Sequence, residues 1–484
     1  MASEVPCSHK IRILNFNTKD AVMYPIIRIL GRVECNKDQI TCQKTDDFVN
    51  VYSETSNSIP NIHPNNGTFK SLVELNEGGN ELRFVYGCHE VSLSLEYCQM
   101  NFPYSVMPMY VICEGHDALF QAPSTERNDI KSACDRILLC SKLLQCFTAE
   151  KLLENGLGRK TFHLENQCQV FNSKLNYIEA RKMSQEQLWK AIGGEIMTSS
   201  FASKKRKYLA FLSCTHYNGA QYSEAIMKSH EDLLSITEGY VALGGGGLAL
   251  FGTGCLYTWP GQFQEIQAKF QDETIVDKGQ FLDDSCYRGT RGGCFSTTVG
   301  SALHELYHTF DLGHTENGVM GRGFDNINKF FVADSLENVS IRNHEAKIEF
   351  KEEFESEVLS QRLVSESRKK DFEVIRKFEE NDKTTLTKSC CITLAYHKWF
   401  NNYNEASVTL SYDDSNKFIK STAGIRVVEI RKQPEEMICN YWTFEGRVLK
   451  FSFRIPNEVL EEDGSEILFV EDNFGNTLKR LLTA

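Results

Sequence analysis

Between residues 304 and 320 the chain carries His304-Glu305-Leu306-Tyr307-His308, then Asp311-Leu312-Gly313-His314, then Gly318-Val319-Met320. No other stretch constrains the fold as strongly, because its side chains demand opposite surroundings. On a helix of 3.6 residues per turn, Val299, Ala302, Leu303, Leu306 and Phe310 gather into one apolar stripe, while His304 and His308 share the opposite side. The stripe needs a core and the imidazole pair needs a cleft. Two imidazoles at this spacing hold a zinc ion at about 2.0–2.1 Å, and a third protein ligand from elsewhere leaves one position open. His314 is the candidate. For its ring to reach the same ion, the helix has to end just past His308 and the chain has to swing back; Gly313 is placed to take positive φ in that turn. Glu305 adjoins the first ligand without sharing its direction, which suits a carboxylate that takes a proton from water. The residues therefore read as a hydrolase of peptide bonds working with one zinc ion.

This constellation resembles the metzincin clan of zinc peptidases, whose long motif is HExxHxxGxxH with a downstream Met-turn. His304, Glu305, His308 and His314 match it, and residues 318–320 resemble the Met-turn, with Met320 as the floor of the metal site. The longer string HELYHTFDLGHTENGVMGRGFD is similar to a eukaryotic metallopeptidase family without secretion signals. The glycine of the clan motif is replaced by Asp311, with Gly313 two places later. If the helix ran on, Asp311 would fall on the histidine side, so it is the rival third ligand, with Asp325 a more distant one. No tyrosine closely follows Met320 as the extra transition-state donor some metzincins use; Arg322 is the nearest substitute. Two rival readings stand beside the peptidase. One is a weak or inactive zinc-binding scaffold whose flanking domains bind protein or glycan; the other is a zinc hydrolase of a non-peptide substrate.

The resemblance implies an α+β architecture: a metzincin-like zincin catalytic domain flanked by N-terminal and C-terminal antiparallel β-sandwich-like domains. We expect boundaries at residues 1–103, 104–402 with a charged helical insertion at about 344–383, and 403–484. A net charge of −12 argues against a nucleic-acid partner, because phosphate binding needs a basic excess. The opening residues lack a basic-then-apolar leader, and no run approaches the roughly 20 apolar residues of a membrane span. The 17 cysteines are scattered and include no CxxC pair, so free thiols in a reducing cytoplasm are expected. The partner expected is then a peptide or protein substrate, with neither membrane nor nucleic acid involved.

Along the chain, Phe69, Ser71, Val73 and Leu75 alternate, as do Leu82, Phe84 and Tyr86, and Val91, Leu93, Leu95 and Tyr97, which predicts strands half-buried on one face. Residues 109–113 read as an apolar strand and 129–147 as a helix. A capping box of Ser184 and Gln187 opens another helix, with Gly193 as its stop. Residues 208–214 read as a buried strand and 226–234 as a helix. The glycine run 244–247 has no following Lys-Ser/Thr and so is not a phosphate loop. Metzincin clefts are bordered by an edge strand that pairs with extended substrate; residues 248–253 fit that role, with Leu248, Ala249 and Leu250 against the substrate backbone. Cys286 and Cys294 read either as thiolate ligands or as buried free thiols. Residues 386–400 read as a buried closing helix with His397 in its core. Alternation resumes from 403 to the end.

Overall fold

The computed structural model describes residues 10–34, 49–53, 67–87, 89–332, 384–403, 408–459 and 466–482. The charged segment expected at 344–383 lies outside them. The chain divides into two compact units, one of Met1–Cys98 with Lys329–Asn381 and one of Gln99–Asn328 with Asp382–Ala484. Mixed helix and strand run through the chain, and no helix among the described residues is long and apolar enough to cross a membrane.

The first unit holds two sheets. One has the order β1 (Lys10–Ile13), β3 (Ile26–Glu34), β5 (Thr68–Glu74). The other runs β2 (Asp20–Val22), β7 (His89–Tyr97), β6 (Gly78–Tyr86), β4 (Asn50–Ser53). Alternation does place Phe69, Ser71 and Val73 inside, with Leu82, Phe84, Leu93 and Leu95. The expectation of a wholly antiparallel module fails at one pair, because β2 runs parallel to β7.

The second unit is built on a five-stranded sheet. Its order is β13 (Ala242–Gly245), β14 (Leu248–Gly252), β10 (Arg206–Leu212), β8 (Ser105–Glu114), β9 (Gln169–Asn176). A short ribbon of β11 (His216–Tyr217) and β12 (Thr237–Glu238) stands apart. β14, β10, β8 and β9 are mutually parallel, and β13 alone is antiparallel, at the edge. Parallel strands covered on both faces read as unbroken apolar runs, and β8 and β14 do. The helix Ile130–Glu154 is capped by Asp129, whose carboxylate takes the Ser132 N–H. The helix Gln185–Met197 opens with the expected capping box, but Gly193 does not stop it: the helix passes through both glycines to Met197. The helix expected from 226 begins only at His230, behind an exposed Ile226.

The helix Arg291–Thr309 is the long element beneath the edge of this sheet. Thr290 caps it through the Gly293 N–H, and Val299, Ala302, Leu303, Leu306 and Phe310 are fully buried. The apolar stripe is thus the core-facing side, as the periodicity demands. The second unit also includes six C-terminal strands. β16 (Phe418–Lys432) pairs with β15 (Leu410–Asp413), β17 (Met437–Thr443), β18 (Lys450–Arg454) and β19 (Glu466–Asp472), and β19 pairs with β20 (Thr477–Leu481). Ile392 of the helix Lys388–Tyr396 packs with Val427 and Phe469, joining that sheet to the rest of the unit.

Candidate metal centre

His304 and His308 occupy successive turns of one helix, and their Nε2 atoms lie 3.0 Å apart. The helix ends at Thr309 and passes through Phe310 into a left-handed turn. The Leu312 N–H bonds the Tyr307 carbonyl and the Asp311 N–H bonds the His308 carbonyl, the paired bonds of a Schellman cap. Asp311 takes the left-handed position, with φ 65°. Gly313, expected there, has no positive φ. Aspartate is among the few residues that enter this region readily, so the turn forms without a glycine at this position. Gly313 serves close approach instead: a Cβ there would stand 2.7 Å from the Glu436 carbonyl oxygen and 2.9 Å from Arg431 Nε.

The turn returns His314 to the helix, its Nε2 3.2 Å from that of His308. Among the described residues, these three histidines are the group whose ligand atoms lie within 4.8 Å of one another. Two nitrogens bound at about 2.0–2.1 Å to one tetrahedral ion would sit about 3.3 Å apart, close to the separations found. Every Nδ1 faces a backbone carbonyl: His304 the Val319 oxygen at 2.8 Å, His308 the Leu312 oxygen at 2.8 Å, and His314 the Glu435 oxygen. A carbonyl only accepts, so each Nδ1 carries the proton and each Nε2 presents a lone pair. Burial, joined by the neighbouring histidines, holds His304 down to about 4 and His308 to about 3, keeping both rings neutral. Three converging lone pairs cannot hydrogen-bond one another. The donor set fits a borderline-soft divalent cation such as zinc.

Glu305 projects from the same turn toward the edge strand. Its Oε2 accepts the Gly244 N–H at 2.7 Å, and burial pushes its carboxyl up to about 7 against that one backbone bond. β13 can lie this close only because Gly244 lacks a side chain; a Cβ there would be 2.0 Å from the Glu305 carbonyl oxygen. The open edge expected along 248–250 is not there. Leu248, Ala249 and Leu250 are buried, with β14 paired to β10 on one side and to β13 on the other. Among the described residues, the strand at this edge of the sheet is β13.

Met320 is buried, and its turn presents the Val319 carbonyl to His304 while its own carbonyl takes the Thr315 N–H. Neither Asp311 nor Asp325 joins the histidine group; Asp325 pairs with Arg322 at 3.4 Å. Cys294 is a buried free thiol and Cys286 a half-buried one, neither of them in that group. His397 is buried and its Nδ1 meets the Trp399 N–H. Sequence reasoning missed Arg431, Glu435 and Glu436, which touch the ligand loop from β16 and the turn after it. No local pattern marks a contact between segments about 120 residues apart.

Residues 10–426 match the model of a family described as "Putative peptidase family". A protein of Saccharomyces cerevisiae named as a "Putative zinc metalloproteinase" is 24% identical over 360 residues, covering 69% of this chain and 50% of its own length. One of Schizosaccharomyces pombe with the same description is 24% identical over 298 residues, covering 56% of this chain and 46% of its own. The chain thus spans about half the length of the curated relatives it matches. With the family model matched over most of its length, the chain belongs to this peptidase family.

Proposed function

We propose that the chain is a zinc metalloendopeptidase of metzincin type, with His304, His308 and His314 as metal ligands, Glu305 as general base and Met320 beneath the site. Zinc bound there would polarise a scissile carbonyl and make water acidic enough to lose its proton near neutral pH. Glu305, steered by the Gly244 N–H, takes that proton and returns it to the leaving amine. The outward N–H groups of β13 are engaged, Ala242 by Gln185 Oε1 and Gly244 by Glu305. In an antiparallel edge strand the carbonyls of these same two residues face outward, and an extended peptide can donate to them. The substrate strand proposed here therefore lies along 242–245, one strand out from 248–250. We also assign the protein to a reducing, cytoplasmic setting, supported by the free state of the described cysteines.

The observation that carries this reading is the convergence of three Nε2 lone pairs, each fixed by an Nδ1–H bond, beside a carboxylate. The test is digestion of an unbiased peptide library by the full chain, with and without chelator, alongside Glu305→Ala. We expect chelator-sensitive cleavage, and a variant that keeps its zinc while turnover falls by about 10²–10⁴-fold. Undiminished cleavage by Glu305→Ala would remove the general-base role. Zinc binding without cleavage of any peptide would favour the scaffold.

A further inference from the structure

The third histidine is held by a part of the chain far from the motif. The loop 433–436 joins β16 to β17, and it lies past residue 426, where the family match ends. His314 enters the sheet as a bridge partner of Met437: its N–H bonds the Glu436 carbonyl at 3.2 Å, and its own carbonyl takes the Ile438 N–H at 2.9 Å. Its Nδ1 meets the Glu435 carbonyl. Arg431 ties the same turn to the end of the zinc helix. Its side chain is 1% exposed, and its guanidinium bonds Glu429 at 2.6 Å, Glu436 at 3.2 Å and the Asp311 carbonyl at 2.6 Å, lying over the Phe469 ring. Glu436 is gripped from its other side by Lys479.

We infer that the C-terminal sheet is a latch for the metal site: Arg431 is a positioning residue, and the 433–436 turn sets the direction of the His314 ring. His304 and His308 are placed by their helix and by the Val319 and Leu312 carbonyls, all within residues 291–319. His314 follows a left-handed turn with no helical bonding of its own, so its register comes from β17. Disturbing the groups that orient a ligand through its far nitrogen typically costs about 10–100-fold in metal affinity. Linkage makes the coupling reciprocal, so zinc must in turn steady the hairpin. The inference rests on the zinc-peptidase reading.

The test uses the full chain with zinc as probe, in competition with a chromophoric chelator, and cobalt(II) substitution as a spectroscopic check. Arg431→Met removes the latch, and Arg431→Lys restores its charge without the fork. Gly313→Ala pushes the ligand loop away from Glu436 and Arg431 with every charge left in place. We expect zinc affinity to fall about 10–100-fold in Arg431→Met and Gly313→Ala, with Arg431→Lys between. The cobalt spectrum should lose four-coordinate intensity in parallel, and chelation should speed hydrogen exchange at the His314 and Ile438 amides of the wild type. If Arg431→Met does not fold, Gly313→Ala decides. Wild-type affinity and spectrum in the folded variants would overturn the latch alone, whereas a wild type that takes no zinc would overturn the metal reading and the latch with it.

Discussion

At Asp311, two physical demands meet on one residue. The position requires φ near 65°, which costs an L residue about 1–2 kcal/mol relative to glycine, though less for aspartate. Its carbonyl is bonded to Arg431, while its carboxylate stands outside the histidine group. Asp311→Gly should therefore be neutral or stabilising by up to about 1 kcal/mol in urea unfolding, with zinc affinity unchanged. A collapse of zinc affinity in that variant would reinstate Asp311 as a ligand. The identity of the turn was legible in the sequence, because about a third to a half of helices end on a left-handed residue and the third histidine requires the chain to turn back. Which residue takes the turn was not, since the glycine two places on is the default choice and its true use depends on Arg431 and Glu436.

Among the elements, the contact between β13 and the histidine helix carries the proposed placement of substrate. Gly244→Ala would drive a methyl group into the Glu305 carbonyl and part the strand from the helix. We expect a loss of about 1–3 kcal/mol in stability and a fall in peptidase kcat/KM at retained zinc content; unchanged turnover would detach β13 from the site. The histidine helix and the cap at Ser184 could be read in advance because their signals sit within a few residues. The edge strand could not. Leu248-Ala249-Leu250-Phe251 is apolar because it is an inner strand, whereas Ala242-Leu243-Gly244-Gly245, poor in strand formers, is the edge. Strand order is set by long-range pairing, to which local alternation is blind.

For the whole molecule, the same C-terminal sheet that holds His314 carries a buried electrostatic cost. Glu471 is fully buried, and neither carboxylate oxygen has a hydrogen-bond partner among the described residues. Burial, with Asp311, Asp472 and Glu429 nearby, pushes its carboxyl well above the usual range, against the pull of Arg431. An acid whose folded pKa is raised binds its proton more tightly in the native state. Stability from this group is therefore intact below the unfolded value near 4.5 and declines as pH rises above it. Glu471→Gln should raise the thermal midpoint by a few degrees at pH 7, with the gain vanishing below about pH 4; a gain independent of pH would place its cause elsewhere. Sequence alone revealed the charge balance and the alternating strands of this region. It could not reveal that a sheet more than 100 residues downstream holds His314 beside the other two histidines.

The most direct measurement is an anomalous-difference map at the zinc absorption edge from crystals of the full chain. The account predicts one ion peak about 2.0–2.1 Å from the Nε2 atoms of His304, His308 and His314, with its remaining position facing Glu305. A peak elsewhere, or one whose fourth position is filled by another side chain, would contradict it.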